Sequence, residues 1–349
     1  MLKAALSALY YSGADEIVSP FTRGEGVIFM LHRVTPEPPR AFEPNRILKV
    51  TPDFLETVIH QVVEAGFEIL TLDEVPARMS RGRTGRPFAC FTLDDGYRDN
   101  IEHAWPVFRR LGAPFAIYVP SDYPDGAGDL WWLMLERVIA GAARVRVTID
   151  GTSLDFATAS TAAKEAAFDT IYWRLRRIAE RQARRIVTDL AESHGLSAEA
   201  LCRELIMDWS EVRRLAADPL VTIGAHTCRH LALARLDADE ARREMAASIA
   251  RIEAELGRPC RHFSYPYGCE ASAGPREFAI ARELGMATAV TTRKGLVHAA
   301  HAASLTALPR LSLNGDFQDE RYVKVMLSGV PFALWNAVNR TPAAVGAMA

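Results

Sequence analysis

Paired cysteine is the first thing missing from this chain of 349 residues. Its five cysteines, Cys90, Cys202, Cys228, Cys260 and Cys269, are an odd number, widely scattered and without C-x-x-C spacing. That excludes a disulfide framework as the basis of the fold and suits a reducing compartment. No window reaches the ~18 uninterrupted apolar residues of a membrane span. The opening "MLKAALSALYYSGADEIVSP" holds one lysine and a broken apolar run, without the core and cleavage site of a secretory leader. Cytoplasmic is therefore the expected location. Positive charge is not in excess either: 41 Lys and Arg against 43 Asp and Glu leave a formal net charge of −2. This removes the electrostatic case for nucleic acid as a partner. Arginine is dense only at "RLRRIAERQARR", Arg174 to Arg185, where glutamate and alanine interrupt it. The run reads as a solvated helix face, with an anionic membrane or polyanion as the alternative. Internal repeats and low-complexity tracts are absent too.

What is present is a rhythm of apolar strands and amphipathic helices. "GVIFMLHRV" (Gly26 to Val34), "RPFACFTLDD", "APFAIYVP", "LVTIGAHT", "RHFSYPYG" and "MATAVTT" read as strands. Between them, "TPDFLETVIHQVVEAGF", "YRDNIEHAWPVFRRLG" (closed by Gly112), "DADEARREMAASIARIEAELG" and "REFAIARELG" carry helical spacing with N-cap and C-cap signals. Strand and helix in alternation predict a parallel sheet, a barrel or a doubly wound sheet. In such folds chemistry gathers at the carboxyl ends of strands. Four of these strands end on ligand-capable residues: His32, the pair Asp94 and Asp95, His226, and the turn after Tyr265. The main domain is expected over 26–315, after an N-terminal segment 1–25. A largely helical insertion at about 129–219 interrupts it, and an apolar, helical tail, 316–349, follows. The aromatic "YVKVMLSGVPFALWNAVN" in that tail leaves contact with a membrane surface open.

Three short stretches carry the chemistry. "FTLDDG" sets two like charges side by side where a strand meets a loop, a pattern that asks for a cation or a proton. "HTCRH" spaces His226 and His230 so that both imidazoles of a helical turn point at one ion. Two histidines and one carboxylate form a facial set for a divalent metal that leaves positions for water and substrate. One aspartate then neutralises the metal while the other handles a proton. "FSYPYG" makes a rigid turn able to aim a backbone N–H at a developing oxyanion. Cys228, between the histidines, reads as packing.

In this order and at these separations, "TLDDG", "HTCRH" and "FSYPYG" resemble the first three motifs of the polysaccharide deacetylase superfamily, carbohydrate esterase family 4 or the NodB-homology domain. The resemblance covers roughly Gly26 to Leu313. It implies a distorted (β/α) barrel and metal-dependent hydrolysis of an acetyl group on a sugar. Residue by residue, it makes Asp94 the catalytic base and Asp95, His226 and His230 the metal ligands. The amide of Tyr267, beside Pro266 in the substrate-binding turn, helps form the oxyanion hole. The reaction implied is attack by a metal-bound water, with Asp94 taking its proton. Zinc is the metal expected, with cobalt, nickel, manganese or iron also compatible with these ligands.

The sequence departs from the common pattern in two places. No strand-like L-x-H follows "FSYPYG", and His298 and His301 sit in an alanine-rich stretch. His32 ends the first strand instead, as in a circularly permuted branch of the family, and is the expected general acid, with His298 or His301 as alternatives. Ser264 stands where many members carry an arginine that orients the base. Arg310 in "ALPRLSL" resembles the arginine that other members use, a surface arginine after a proline being the competing reading. Trp131 and Trp132, opening the insertion, read as core aromatics or as a sugar-stacking platform.

The substrate expected is an N-acetylated glycan, from an exopolysaccharide or surface glycan, or its nucleotide- or lipid-linked intermediate. Two other readings stand beside it: an amidohydrolase acting on a non-sugar amide or cyclic imide, and a glycan-binding protein without catalysis.

Overall fold

The computed structural model describes residues 2–82 and 85–339. Seven parallel strands close into a barrel: β1 (Gly26–Leu31), β2 (Phe88–Leu93), β3 (Phe115–Val119), β4 (Val221–Ala225), β5 (His262–Ser264), β6 (Thr288–Lys294) and β7 (Leu308–Ser312). Around the ring the order is β1, β7, β6, β5, β4, β3, β2, and β2 returns to β1 in register from Gly26↔Phe88 to Leu31↔Leu93. A short strand, Glu68–Ile69, lies beside the start of β2. The strands are continuous apolar runs because both their faces are covered. Outward residues such as Phe29, Leu31, Phe91 and Leu93 pack under the surrounding helices, and inward ones such as Ile28, Phe88, Cys90 and Tyr118 fill the lumen. The lumen turns polar towards the carboxyl end, where Thr92, Ser264 and Arg310 are fully buried. The expected distorted (β/α) barrel is the fold found.

Local sequence explains the helices that wrap it. Pro52–Glu64 starts at Thr51, whose hydroxyl accepts from the Phe54 amide, and buries Phe54, Leu55, Val58, Ile59 and Val62 at helical spacing. Ala238–Leu256 starts at Asp237 and ends at Gly257, which takes φ +64°. The helix expected after β2 is shorter and begins with a wide π-type turn, Asn100–Ala104, before Trp105–Leu111. Pro106 is the cause, since it lacks the N–H that an α-turn needs there.

The insertion has a core of its own. Helix Trp131–Gly141, the hairpin Arg144–Ile149 and Thr152–Ala157, and helices Thr161–Leu175, Glu180–Ser193 and Ala198–Leu205 bury Trp131, Trp132, Leu135, Val145, Phe168 and Val187 together. The hairpin turns at Asp150–Gly151, both at positive φ, as a tight two-residue loop requires. The next helix, Trp209–Ala216, places Trp209, Val212 and Leu215 in the barrel's core. Two helices, Leu2–Ser12 and Ala14–Thr22, precede β1, and two, Glu320–Leu327 and Val330–Asn339, follow β7. The last part of the expected tail, 340–349, lies outside the described residues.

Candidate active site

Every motif identified from the sequence ends at the carboxyl mouth of the barrel. Asp94 continues β2, its amide bonded to the Leu31 carbonyl at 2.9 Å. The chain then turns sharply: Asp95 takes φ +76° and Gly96 +69°. The second of these favours glycine, which has no Cβ to clash in the left-handed region. This turn separates the two carboxylates, which answers why like charges sit side by side.

Asp94 is gripped by Arg310. The guanidinium donates through Nη1 to Oδ1 at 2.8 Å and through Nη2 to Oδ2 at 2.6 Å. Its other donors go to Thr92 Oγ1, Ser264 Oγ and the Thr291 carbonyl. Arg310 is therefore no surface residue; it is 1% exposed. Ser264 yields the space and accepts a hydrogen bond from it. Burial pushes the Asp94 carboxyl up, but the Arg310 charge outweighs this and holds it below the usual carboxylate range.

Asp95 turns the other way. Its Oδ1 lies 3.5 Å from His226 Nε2 and 3.3 Å from His230 Nε2, and one ligand atom from each of the three falls within 4.8 Å of the others. All three residues are buried, and Asp95 Oδ1 and His230 Nδ1 have no hydrogen-bond partner among the described residues. The His226 ring is fixed by its Nδ1 against the Ser264 carbonyl at 2.6 Å, which leaves Nε2 as the ligating atom. Burial holds the His230 imidazole down to about 3, keeping it neutral and its lone pair free. A buried carboxylate oxygen without a donor, facing two imidazole nitrogens, is the donor set of a divalent cation, and the residues fit one.

The route to this geometry differs from the expected helical turn. His226 to His230 form an irregular turn in which Thr227 takes φ +62° and His230 +57°, stitched by the His230 amide to Thr227 Oγ1. Of the six non-glycine residues at positive φ among those described, four (Asp95, Thr227, His230 and Tyr267) belong to this mouth. Strain of this kind persists where surrounding contacts over-determine the backbone.

A cavity of about 280 Å³ opens over the metal set, lined by His32, Asp94, Asp95, Trp132, Tyr172, His226, His230, Tyr267 and Thr292 among others. His32 stands at the end of β1, its carbonyl held by Asn100. Tyr267 takes φ +59°, and no acceptor among the described residues takes its backbone N–H. Trp132 reaches the cavity, its ring 5.2 Å from that of His230. Trp131 does not line it; it stacks behind Tyr172 at 5.1 Å and donates to the Tyr267 hydroxyl at 3.0 Å. Pro266 is buried within the turn and does not line the cavity. Cys228 donates weakly to the Glu244 carbonyl, which agrees with packing. His298 and His301 are elsewhere: His298 packs beside Gly24, ahead of the amino end of β1.

Sequence reasoning missed the brace that the insertion supplies. Arg184, 8% exposed, ion-pairs with Asp129 and Glu180 and donates to the carbonyls of Arg229 and His230 at 2.8 and 2.5 Å. Glu180 accepts from the Tyr267 hydroxyl at 3.0 Å and from the Ala232 amide. The Arg176 guanidinium lies 4.1 Å above the Tyr267 ring. The available signal was the i, i+4 pair Glu180 and Arg184, set on the same helix face as Ala183 and Val187.

Comparison with known proteins bears on the family and the fold. The sequence model of the family described as "Polysaccharide deacetylase" matches residues 81–289. No curated protein matches the chain. Among solved structures, a deacetylase PplD from Streptococcus pyogenes, in complex with acetate, superposes with a TM-score of 0.57 at 16% identity, covering 86% of this chain and 97% of that one. IcaB from Ammonifex degensii gives 0.53 at 16%, with the same coverages of 86% and 97%. A polysaccharide deacetylase from Bacillus cereus, BC0361, gives 0.54 at 13%, covering 87% of this chain and 68% of that one. At these identities the likeness is one of fold.

Proposed function

The chain belongs to the polysaccharide deacetylase family, and from that premise we propose that it is a metal-dependent hydrolase that removes the acetyl group from an N-acetylated sugar. The observation that carries the reading is the divided aspartate pair: Asp94 locked by a buried arginine, Asp95 turned onto two histidines, both at the floor of one cavity.

Asp95, His226 and His230 would hold the divalent ion, with zinc the best match to one carboxylate and two imidazoles. When bound, such an ion supplies a Lewis acid that lowers the pKa of water and polarises an acyl oxygen. The chain's own residues do the rest. Asp94, kept ionised and pointed by Arg310, accepts the proton of the attacking water. The Tyr267 amide N–H, lacking another acceptor, donates to the oxygen that becomes negative in the tetrahedral intermediate. His32, lining the same cavity as Tyr267, donates a proton to the departing amine as the C–N bond breaks. The Trp132 ring, at the cavity wall, offers an apolar surface for a sugar ring.

The substrate class we favour is an exopolysaccharide or surface glycan, or its lipid-linked intermediate, handled in the cytoplasm. The five free thiols support a reducing compartment. A purely glycan-binding role is disfavoured because base, orienting arginine and metal donors are all in place.

Acetate released from N-acetylhexosamine oligomers, measured with wild type and Asp94→Asn, tests the proposal. Release by the wild type, falling at least ~10²-fold in the variant, is expected. Hydrolysis of cyclic imides or simple amides without acetate release from any amino sugar would move the site to the non-sugar reading.

A further inference from the structure

The helix Ala14–Thr22 is turned inside out. Of its polar side chains, Asp15 is buried and the Thr22 hydroxyl donates to the Ser328 carbonyl at 2.6 Å, while Glu16 is exposed and pairs with Lys324. Its apolar ones face outward, Ile17 76% and Phe21 87% exposed with Val18 beside them. A surface helix ordinarily does the reverse. The helix Val330–Asn339 packs beside it, meeting it where Gly329 touches the Thr22 carbonyl, and has no charged residue. It exposes Leu334 and Trp335. Of the ten large apolar side chains exposed among the described residues, these five share two neighbouring helices. Scattered singly they would need no explanation; gathered, they mark an interaction surface.

Both helices sit at the amino end of the barrel, opposite the catalytic mouth. Thr22 is followed closely by β1, and Phe332 shares a cavity with His298 and His301. That end is basic. The segment leading into β2 carries Arg78, Arg81 and Arg86 with no acidic residue between Val75 and Cys90. Arg23, at the end of the inverted helix, lines a concavity with Arg78 and Arg86. The acids nearby are mostly paired: Glu16 with Lys324, Glu68 with Arg78, and Asp73 with Arg261 and His262, while Glu25 shares the arginine concavity. After Glu320 the sequence has no acidic residue at all.

We propose that this end of the molecule docks on an anionic lipid bilayer. Ile17, Phe21, Leu334 and Trp335 enter the headgroup region, while Arg23, Arg81 and Arg86 meet lipid phosphate. An apolar patch rimmed by positive charge is complementary to such a surface. A second copy is a poorer occupant, because a two-fold contact would set the basic rim against itself. Docked this way, the catalytic mouth faces away from the bilayer, towards glycan that extends from it.

Co-sedimentation of the full chain with vesicles of phosphatidylcholine alone, and of phosphatidylcholine mixed with phosphatidylglycerol, tests this. Wild type is expected to pellet with the mixed vesicles at low salt and to stay in solution with phosphatidylcholine alone. Ile17→Ser with Phe21→Ser, both exposed positions, should weaken binding at least ~tenfold with Tm unchanged. Arg81→Gln with Arg86→Gln should weaken it most at low salt. Wild type left in the supernatant with mixed vesicles, or the serine variant pelleting like wild type, would overturn the proposal. So would light scattering that shows a wild-type dimer made monomeric by the serine variant. Binding is read without any catalytic assay, so it stands or falls apart from the deacetylase reading.

Discussion

Asp94 and Asp95 are adjacent in sequence, yet one carboxylate meets a guanidinium and the other two imidazoles, because Asp95 and Gly96 both take positive φ. The motif made the pair legible, and the split of roles followed from charge. The hand that holds Asp94 was harder to read, since Arg310 is 216 residues away and only the ring order of β7 beside β1 delivers it. Ser264 Oγ, 3.1 Å from Arg310 Nη2, marks a second place from which a guanidinium can reach the base. Arg310→Met should therefore lower kcat by ~10²-fold through loss of base orientation, and cost about 3 kcal/mol of stability by stranding a buried carboxylate. Adding Ser264→Arg to that variant should restore part of both. Kinetics and urea unfolding of the single and double variants decide it; no recovery of kcat in the double variant would reject orientation as Arg310's role.

The insertion, at the scale of elements, is a brace as well as a cover. Composition reads Arg174 to Arg185 as a solvated face, and most of these arginines are exposed. Arg184 is not, because Asp129 and Glu180 neutralise it where it reaches the carbonyls of Arg229 and His230. No sequence pattern reveals that a helix in an insertion will cross a turn some forty residues later. The "HTCRH" turn shows the same limit: spacing brought out the two histidines, but left-handed Thr227 and His230, not a helix, bring their imidazoles together. Since Arg184 supports the His230 backbone, Arg184→Met is expected to weaken zinc binding by ~10–100-fold. Competition against a chelator of known affinity measures this. Unchanged affinity in a folded variant would leave the insertion as a lid without a part in holding the site.

For the whole molecule, the alternation of strands and helices was sufficient to read a parallel barrel, since each strand is apolar on both faces and each helix carries caps. Closure was not readable, because it depends on β1 pairing with both β2 and β7. Nor was the partly desolvated setting of His298 and His301 at the amino end, where His298 is exposed and His301 half-buried. Burial lowers the pKa of both imidazoles from 6.5, against a small opposing pull from Glu25 on His298 and a backbone hydrogen bond on His301. The folded state then binds these protons less readily than the unfolded chain. Stability should fall as pH drops through about 6.5 and level off below the folded-state values. Thermal unfolding at about pH 7.5 and 5.5 should show a smaller acid-induced drop in Tm for His298→Gln with His301→Gln than for wild type. An equal drop would assign acid sensitivity to other groups.

The central claim is that Asp95, His226 and His230 hold one divalent ion beside the Asp94 base. Metal content of the wild type and of His226→Ala, each offered zinc and dialysed against metal-free buffer, tests it most directly. About one ion per chain in the wild type, lost in a variant that keeps its fold by circular dichroism, is the outcome expected from this donor set. A wild type that stays empty after zinc, cobalt, nickel, manganese and iron have each been offered would contradict it.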